Sequence, residues 1–248
     1  MLGAVSAFKA YDIRGIAGED ITTDFSRRLG RAIVEFAQAT SIAVGRDIRS
    51  SGESLKAALI QGIVESGCTV VDLGIVPTGV VYRSTVDLNV DSAIAITASH
   101  NPPEYNGFKI VHKGLPVAGE DLQRLKAIYE SPDQGKANSP GTILSMSEYH
   151  HTVIDAIVQD VGPLARRVSV AVDSANAVPG PFMMELCDKL GVDLVDLNCT
   201  WDQRSPAHPA DPTRPENMIQ LSDLVANSGC EFGIGLSLIH ISEPTRRI

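Results

Sequence analysis

One pattern constrains the fold more than any other. A short apolar run, a turn, an amphipathic helix and another short apolar run repeat along most of the chain. Ser41–Gly45 (SIAVG), Thr69–Leu73 (TVVDL), Ala93–Thr97 (AIAIT) and Phe108–Val111 are short apolar runs of this kind. Such runs, bounded by turns, read as strands buried on both faces. A helix opening at Ser51 or Gly52 would put Leu55, Ala58, Leu59, Gly62 and Ile63 on one face, and Gly67 is placed to end it. Another is expected over Thr78–Leu88, after Pro77. A third, over Gly119–Tyr129, would turn Leu122, Leu125 and Ile128 inward. Strands alternating with helices predict an α/β fold with a largely parallel sheet.

Ser131–Thr142 (SPDQGKANSPGT) has no apolar periodicity and reads as a linker. The pattern then restarts. It predicts a helix over Ser147–Val161, a strand at Val168–Val172, and a helix opened near Pro179 and Pro181 with Met183, Leu186, Cys187 and Leu190. A strand at Val192–Leu197, a helix within Pro215–Ser228 and a strand from Glu231 to Leu236 complete it. The expected architecture is two tandem three-layer α/β/α domains, residues 1–138 and 139–236, with mixed, largely parallel sheets. Ser237–Ile248 (SLIHISEPTRRI) breaks the pattern and is expected to be a non-native tail.

Charge narrows the function. The 248 residues include 21 basic and 30 acidic side chains, a net charge of −9. Nucleic-acid binding rests largely on neutralising phosphates, so it is not expected. Cys68, Cys187, Cys199 and Cys230 form no Cys-x-x-Cys pair and read as reduced, buried thiols. No apolar run approaches the roughly 18–20 residues that span a bilayer. The N-terminus (MLGAVSAFKAYDIRG) lacks the basic region of a secretory leader. A cytoplasmic protein with no membrane partner is expected, and its oligomeric state is left open.

Thr97–Ile110 (TASHNPPEYNGFKI) carries the chemistry. A buried strand delivers Ser99 to a turn stiffened by Pro102 and Pro103, with His100, Asn101 and Asn106 nearby and Lys109 on the returning strand. A hydroxyl held beside an imidazole and an ammonium suits a nucleophile or a phosphate carrier. The Gly-x-Ser-x-Gly elbow is absent, which argues against an α/β-hydrolase serine. His150-His151 opens a helix with no further ligand at metal spacing and reads as surface. Gly233-Ile234-Gly235 lacks the third glycine of a dinucleotide fingerprint.

Thr97–Pro102 (TASHNP) resembles the phosphoserine loop of the α-D-phosphohexomutase family, of the phosphomannomutase/phosphoglucomutase type. Phe8–Gly15 (FKAYDIRG), Gly45–Arg49 (GRDIR) and Ser205–Asn217 (SPAHPADPTRPEN) are similar to three further segments of that family, in the same order. The resemblance covers about residues 8–236. It implies that Ser99 carries a phosphoryl group between O1 and O6 of mannose or glucose phosphates through a bound bisphosphate. It places Arg14 and Lys109 in the site as phosphate-neutralising groups, with Lys109 also a candidate acid/base. His100 either assists Ser99 or holds the loop. Tyr11 and Asn101 orient groups, and Arg46 and Arg49 support the loop through ion pairs with Asp47 or backbone contacts. The resemblance also implies a Mg²⁺ cofactor held partly by the phosphate on Ser99. The family's aspartate-rich loop would begin at Ser237 and is missing, so the chain is expected to be an N-terminal fragment, inactive alone. A hexosamine-phosphate mutase is the near alternative. A non-catalytic sugar-phosphate-binding module is the alternative of another class.

Overall fold

The computed structural model describes residues 7–132, 137–202, 204, 206–236 and the backbone of 242–246. The chain divides into two compact units, residues 1–147 and 148–248.

In the first unit the strands are β1 (Ile13–Ile16), β2 (Ser41–Arg46), β3 (Thr69–Ile75), β4 (Ser92–Ile96), β5 (Tyr105–His112), β6 (Leu115–Pro116) and β7 (Ile143–Ser145). They form one sheet in the order β1-β5-β4-β2-β3-β7, with β6 paired to β5. The block β4-β2-β3-β7 is parallel, and β5 runs antiparallel to both β4 and β1. The helices are α1 (Thr23–Ala37), α2 (Gly52–Glu65), α3 (Thr78–Asp87) and α4 (Gly119–Glu130). Successive side chains on a strand face opposite ways. Ile42 and Val44 of β2 therefore join the core built with α1, α2 and α4. Gly45 lies against Val76 and against Val81 of α3, and a Cβ there would come within 2.6 Å of the Val81 side chain.

No element is expected from the sequence reading between Gly15 and Ser41, where α1 sits. Its signals are local. Thr22, in extended backbone, accepts the Phe25 amide at 3.0 Å as an N-cap. Phe25, Leu29, Ala32 and Ile33 then fall on the buried face. The α1–α2 crossing is close because glycines line it. A Cβ on Gly62 would lie 1.9 Å from the Arg27 carbonyl oxygen, and one on Gly30 would lie 2.4 Å from that of Leu59. Glu65 of α2 fastens the crossing by accepting from both Arg27 and Arg31. The hydrogen bond from Arg27, reinforced by Arg31, holds the Glu65 carboxyl down at about 2.

The second unit contains α5 (Tyr149–Val161), β8 (Ser169–Asp173), α6 (Pro179–Leu190), β9 (Asp193–Leu197), a single 3₁₀ turn at Pro215–Met218, α7 (Ile219–Ser228), β10 (Phe232–Leu236) and β11 (Ser242–Arg246). Its sheet order is β11-β10-β8-β9. The last three strands are mutually parallel and β11 is antiparallel. Ala171 packs with Leu221 and Val225 of α7, while Val170 and Val172 pack on the other face with Met183 of α6. Both units are α/β layers around a mixed, mostly parallel sheet. Within the tail, residues 237–241 and 247–248 lie outside the described residues, as does part of the expected linker, residues 133–136.

Two outcomes follow. Gly62→Ala should lower the unfolding free energy by about 2–3 kcal/mol through overpacking, read by urea denaturation, whereas Gly114→Ala, where a Cβ meets nothing within 4 Å but φ is +76°, should cost only the roughly 1 kcal/mol of a left-handed alanine. A carboxyl whose pKa is depressed by folding contributes stability above its unfolded value, and that contribution disappears as pH falls through its folded value. The wild-type advantage over Glu65→Gln, on the order of 1 kcal/mol after solvent screening, should therefore be full above about pH 5. It should vanish near pH 2, as measured by denaturation at a series of pH values.

Candidate active site

The turn after β4 holds Ser99 in an unusual state. Its φ is +55°, a left-handed conformation that a non-glycine residue adopts at a cost. Its amide donates to Thr97 Oγ1 at 2.9 Å, and the Ala98 carbonyl accepts the Asn101 amide at 3.1 Å. The Ser99 side chain is buried, yet its Oγ has no hydrogen-bond partner, alone among the described buried side-chain polar atoms. Such orphans are rare and require an explanation.

Arg49 keeps the turn in place. Its Nη2 donates to the carbonyls of Ser99 at 2.7 Å and Asn101 at 2.6 Å. Its Nη1 donates to those of Pro102 at 2.6 Å and Tyr105 at 2.9 Å. Its Nε faces Asp47 Oδ2 at 3.2 Å. Burial pushes the Asp47 carboxyl up and the Arg49 guanidinium down, and their ion pair opposes both shifts. Arg46 is arranged differently. It donates to the Asp47 carbonyl at 2.9 Å, but its ion pair is with Glu53 at 2.7 Å rather than with Asp47.

The cations come from the antiparallel pair β1–β5. Arg14 lies opposite Gly107, and a Cβ on Gly107 would stand 2.2 Å from the Ile13 carbonyl, so glycine lets the strands close here. Arg14 Nη1 donates to Asn101 Oδ1 at 2.6 Å, tying the guanidinium to the Ser99 turn. Its Nη2 pairs with Asp12, and the same Asp12 oxygen lies 3.3 Å from Lys109 Nζ. One nearly buried carboxylate therefore gathers two cations. The sequence motifs alone did not assign Asp12 a role in the site. Its position immediately before β1, two residues from Arg14, was the available signal.

The remaining predicted residues are less engaged. His100 is exposed and has no hydrogen bond or ion pair among the described residues. Tyr11, at 82% exposed, sits at the tip of the Phe8–Ile13 turn and touches none of these groups through a hydrogen bond. Asn106, buried, donates to Ser51 Oγ at 2.8 Å and so links the loop's far end to the start of α2. In the second unit, His208 meets Asp173 at 2.9 Å, a pairing the sequence did not reveal. Ser205 lies outside the described residues.

The match to known proteins follows this geometry. Residues 5–136 match the family model for phosphoglucomutase/phosphomannomutase, alpha/beta/alpha domain I, and residues 148–236 match that for domain II. The chain belongs to the phosphoglucomutase/phosphomannomutase family. A phosphomannomutase/phosphoglucomutase of Pseudomonas aeruginosa is 39% identical over 233 residues, covering 92% of this chain and 49% of that protein. A phosphoglucomutase of Neisseria gonorrhoeae is 37% identical, covering 92% of this chain and 50% of that protein. The crystal structure of a family protein from Burkholderia thailandensis superimposes with a TM-score of 0.88 at 34% identity, over 94% of this chain and 52% of the other. The chain thus spans about half the length of the curated relatives it matches.

The residues around Ser99 do not make a magnesium site. Among the described residues no group of three metal-ligating side chains converges there, and Asp12 is already paired with Arg14 and Lys109.

Arg49→Ala should cost about 3–5 kcal/mol, because it leaves Asp47 buried and unpaired. The Arg49→Ala/Asp47→Ala double variant should recover part of that loss in urea denaturation. Hydrogen exchange at the Asn101 amide should accelerate in both.

Proposed function

We propose that a full-length protein built on this chain is a hexose-phosphate mutase, moving a phosphoryl group between O1 and O6 of glucose or mannose phosphates. The observation that carries this reading is the buried, unpartnered Ser99 hydroxyl on a turn tied to Arg14. In the forward direction the phosphoryl bond to Ser99 Oγ breaks as the O6 hydroxyl of a hexose 1-phosphate takes the group. The resulting 1,6-bisphosphate turns over in the site and returns its O1 phosphate to Ser99 Oγ, releasing the hexose 6-phosphate, with Lys109 the candidate acid/base that moves the hydroxyl proton in each half. Phosphoryl transfer asks the protein mainly for positioning and charge neutralisation. Arg14 supplies a planar fork suited to phosphate oxygens. Lys109 supplies a second cation, and Asp12 holds the two together in the absence of substrate. Each phosphate that enters competes with Asp12 for them.

Asn101 positions Arg14, and Arg49 positions the turn, with Arg46 bracing the Asp47 backbone. Exposed and without a side-chain hydrogen bond among the described residues, His100 is assigned to assisting Ser99 or holding the loop, and Tyr11 to orienting groups in the site. The Ser99 hydroxyl is covered in this conformation, so phosphorylation requires a new side-chain rotamer or a shift of the turn. Relatives that carry out this chemistry motivate a Mg²⁺ requirement for the full-length protein, but no step is assigned to the metal on these residues. No described helix is long and apolar enough to cross a membrane. Four free, buried cysteines support a cytoplasmic setting.

Ser99→Ala in the full-length protein should reduce conversion of glucose 1-phosphate to glucose 6-phosphate by at least about 10³-fold, in line with loss of a covalent route. A coupled dehydrogenase assay reads the rate, and mass spectrometry should find the phosphoryl group on Ser99 in the wild type. A variant turning over near the wild-type rate would overturn the reading.

A further inference from the structure

The fold supplies what the sequence around His150-His151 lacked. Helix α6 brings Glu185 against the first turn of α5, so that one donor atom from each of His150, His151 and Glu185 lies within 4.8 Å of the others. We propose that these three side chains form a binding site for a zinc-type transition-metal dication on the second unit.

The donor set fits that class. Imidazole nitrogens with one carboxylate suit borderline metals, whereas Mg²⁺ prefers oxygen ligands alone. Tetrahedral coordination at about 2.0–2.2 Å puts donors about 3.4 Å apart. A cluster already within 4.8 Å needs only small side-chain rotations to close, and all three residues are half-buried rather than locked in the core. The two histidine rings are tilted against each other with centroids 4.0 Å apart, so their nitrogens can converge despite being adjacent in sequence.

The surroundings supply the orienting contact that metal-bound histidines generally have. His151 Nδ1 faces Glu185 at 2.8 Å, while Nε2 faces Glu148 Oε2 at 3.0 Å. A metal taking the place of the proton between Nδ1 and Glu185 leaves Nε2–H donating to Glu148, which fixes the tautomer. The other charged groups packed here are Lys189 and Asp155. Lys189 lies 2.9 Å from Glu185 Oε1 and 2.6 Å from Asp155 Oδ1. Asp155 can retain the ammonium when Glu185 turns to the metal. Glu148, Glu185 and Asp155 together outweigh Lys189 and the positive end of α5. Imidazole must be unprotonated at the nitrogen that binds metal, so metal and proton compete and binding weakens as pH falls.

The test uses residues 1–248, stripped with chelator and titrated with Zn²⁺ by isothermal calorimetry at pH 7.5 and 6.0. One equivalent should bind near micromolar affinity at pH 7.5 and weaken at pH 6.0, and Mg²⁺ should not compete. His151→Ala and Glu185→Gln should each weaken binding at least tenfold. Glu148→Gln should weaken it about tenfold, as for other second-layer partners. Circular dichroism and the metal-free melting midpoint should match the wild type, because His151 is 44% exposed and its loss leaves no cavity. Absence of stoichiometric Zn²⁺ binding would overturn the proposal. So would unchanged affinity in the folded His151→Ala/Glu185→Gln double variant.

Discussion

A guanidinium with only 10% of its side chain exposed must find acceptors for its donors inside the protein. Arg49 finds them in Asp47 and in four carbonyls of the segment from Ser99 to Tyr105. The Ser99 amide on Thr97 Oγ1, Arg14 on Asn101 Oδ1 and the Ala17 amide on the Glu104 carbonyl fasten the same segment. Pro102 and Pro103 have no amide hydrogens, and Ser99 occupies a left-handed conformation it would not keep unaided. The interaction works in both directions. The loop satisfies the cation, and the cation makes the loop's strained geometry the stable one. Asp47 completes the arrangement by keeping the buried charge paired. Its Oδ1 also accepts the Arg49 amide at 2.9 Å, which fixes where the arginine begins.

The antiparallel strand in an otherwise parallel block has a functional consequence. Were β5 to follow β4 through a helical crossover, the chain would leave the strand ends after Ser99. By turning back instead, it lays Lys109 on β5 one step beyond the Ile13–Phe108 pair, beside Asp12, which immediately precedes β1. Gly107 then lets β1 press close enough for Arg14 to reach Asn101. The acidic protein, with its net charge of −9, thereby places two cations in one small region. Bulk charge describes solubility and long-range fields, and says little about such a local cluster.

Periodicity made most strands and helices legible, because buried strands and amphipathic helices differ in apolar spacing. The sequence reading assigns no helix at α1, although Phe25, Leu29, Ala32 and Ile33 recur at helical spacing and Arg27 and Arg31 turn to Glu65 of α2. Nor did periodicity show β1 and β7, which are four and three residues long, too short for a period to register. Ser99, Arg14, Asn101 and Lys109 were legible because their motifs carry them in order. Two of them are joined by a direct hydrogen bond, Arg14 to Asn101. Pairings across the sheet and between helices were not legible. The meeting of Asp12 with Lys109, of Arg46 with Glu53, and of His151 with Glu185 depends on register and helix packing, which sequence spacing does not encode.

The two units use one device at the ends of their parallel strands. Asp47 follows β2 and Asp173 ends β8, and each accepts the amide two residues on, from Arg49 and Ala175, at 2.9 Å. Each then offers its second oxygen to a nitrogen base, Arg49 Nε at 3.2 Å or His208 Nε2 at 2.9 Å. A carboxylate there satisfies backbone donors that the ending sheet leaves behind, and its remaining charge anchors a distant loop. The difference lies in the base. Arginine holds its proton throughout the physiological range, so the Ser99 turn is fastened at every working pH. Histidine does not, although its bond to Asp173 raises its affinity for the proton. The loop at His208 is therefore anchored by an ion pair in acid and by a neutral hydrogen bond once that proton is lost. The same strand-end geometry thus yields a permanent clamp in one unit and a titratable one in the other.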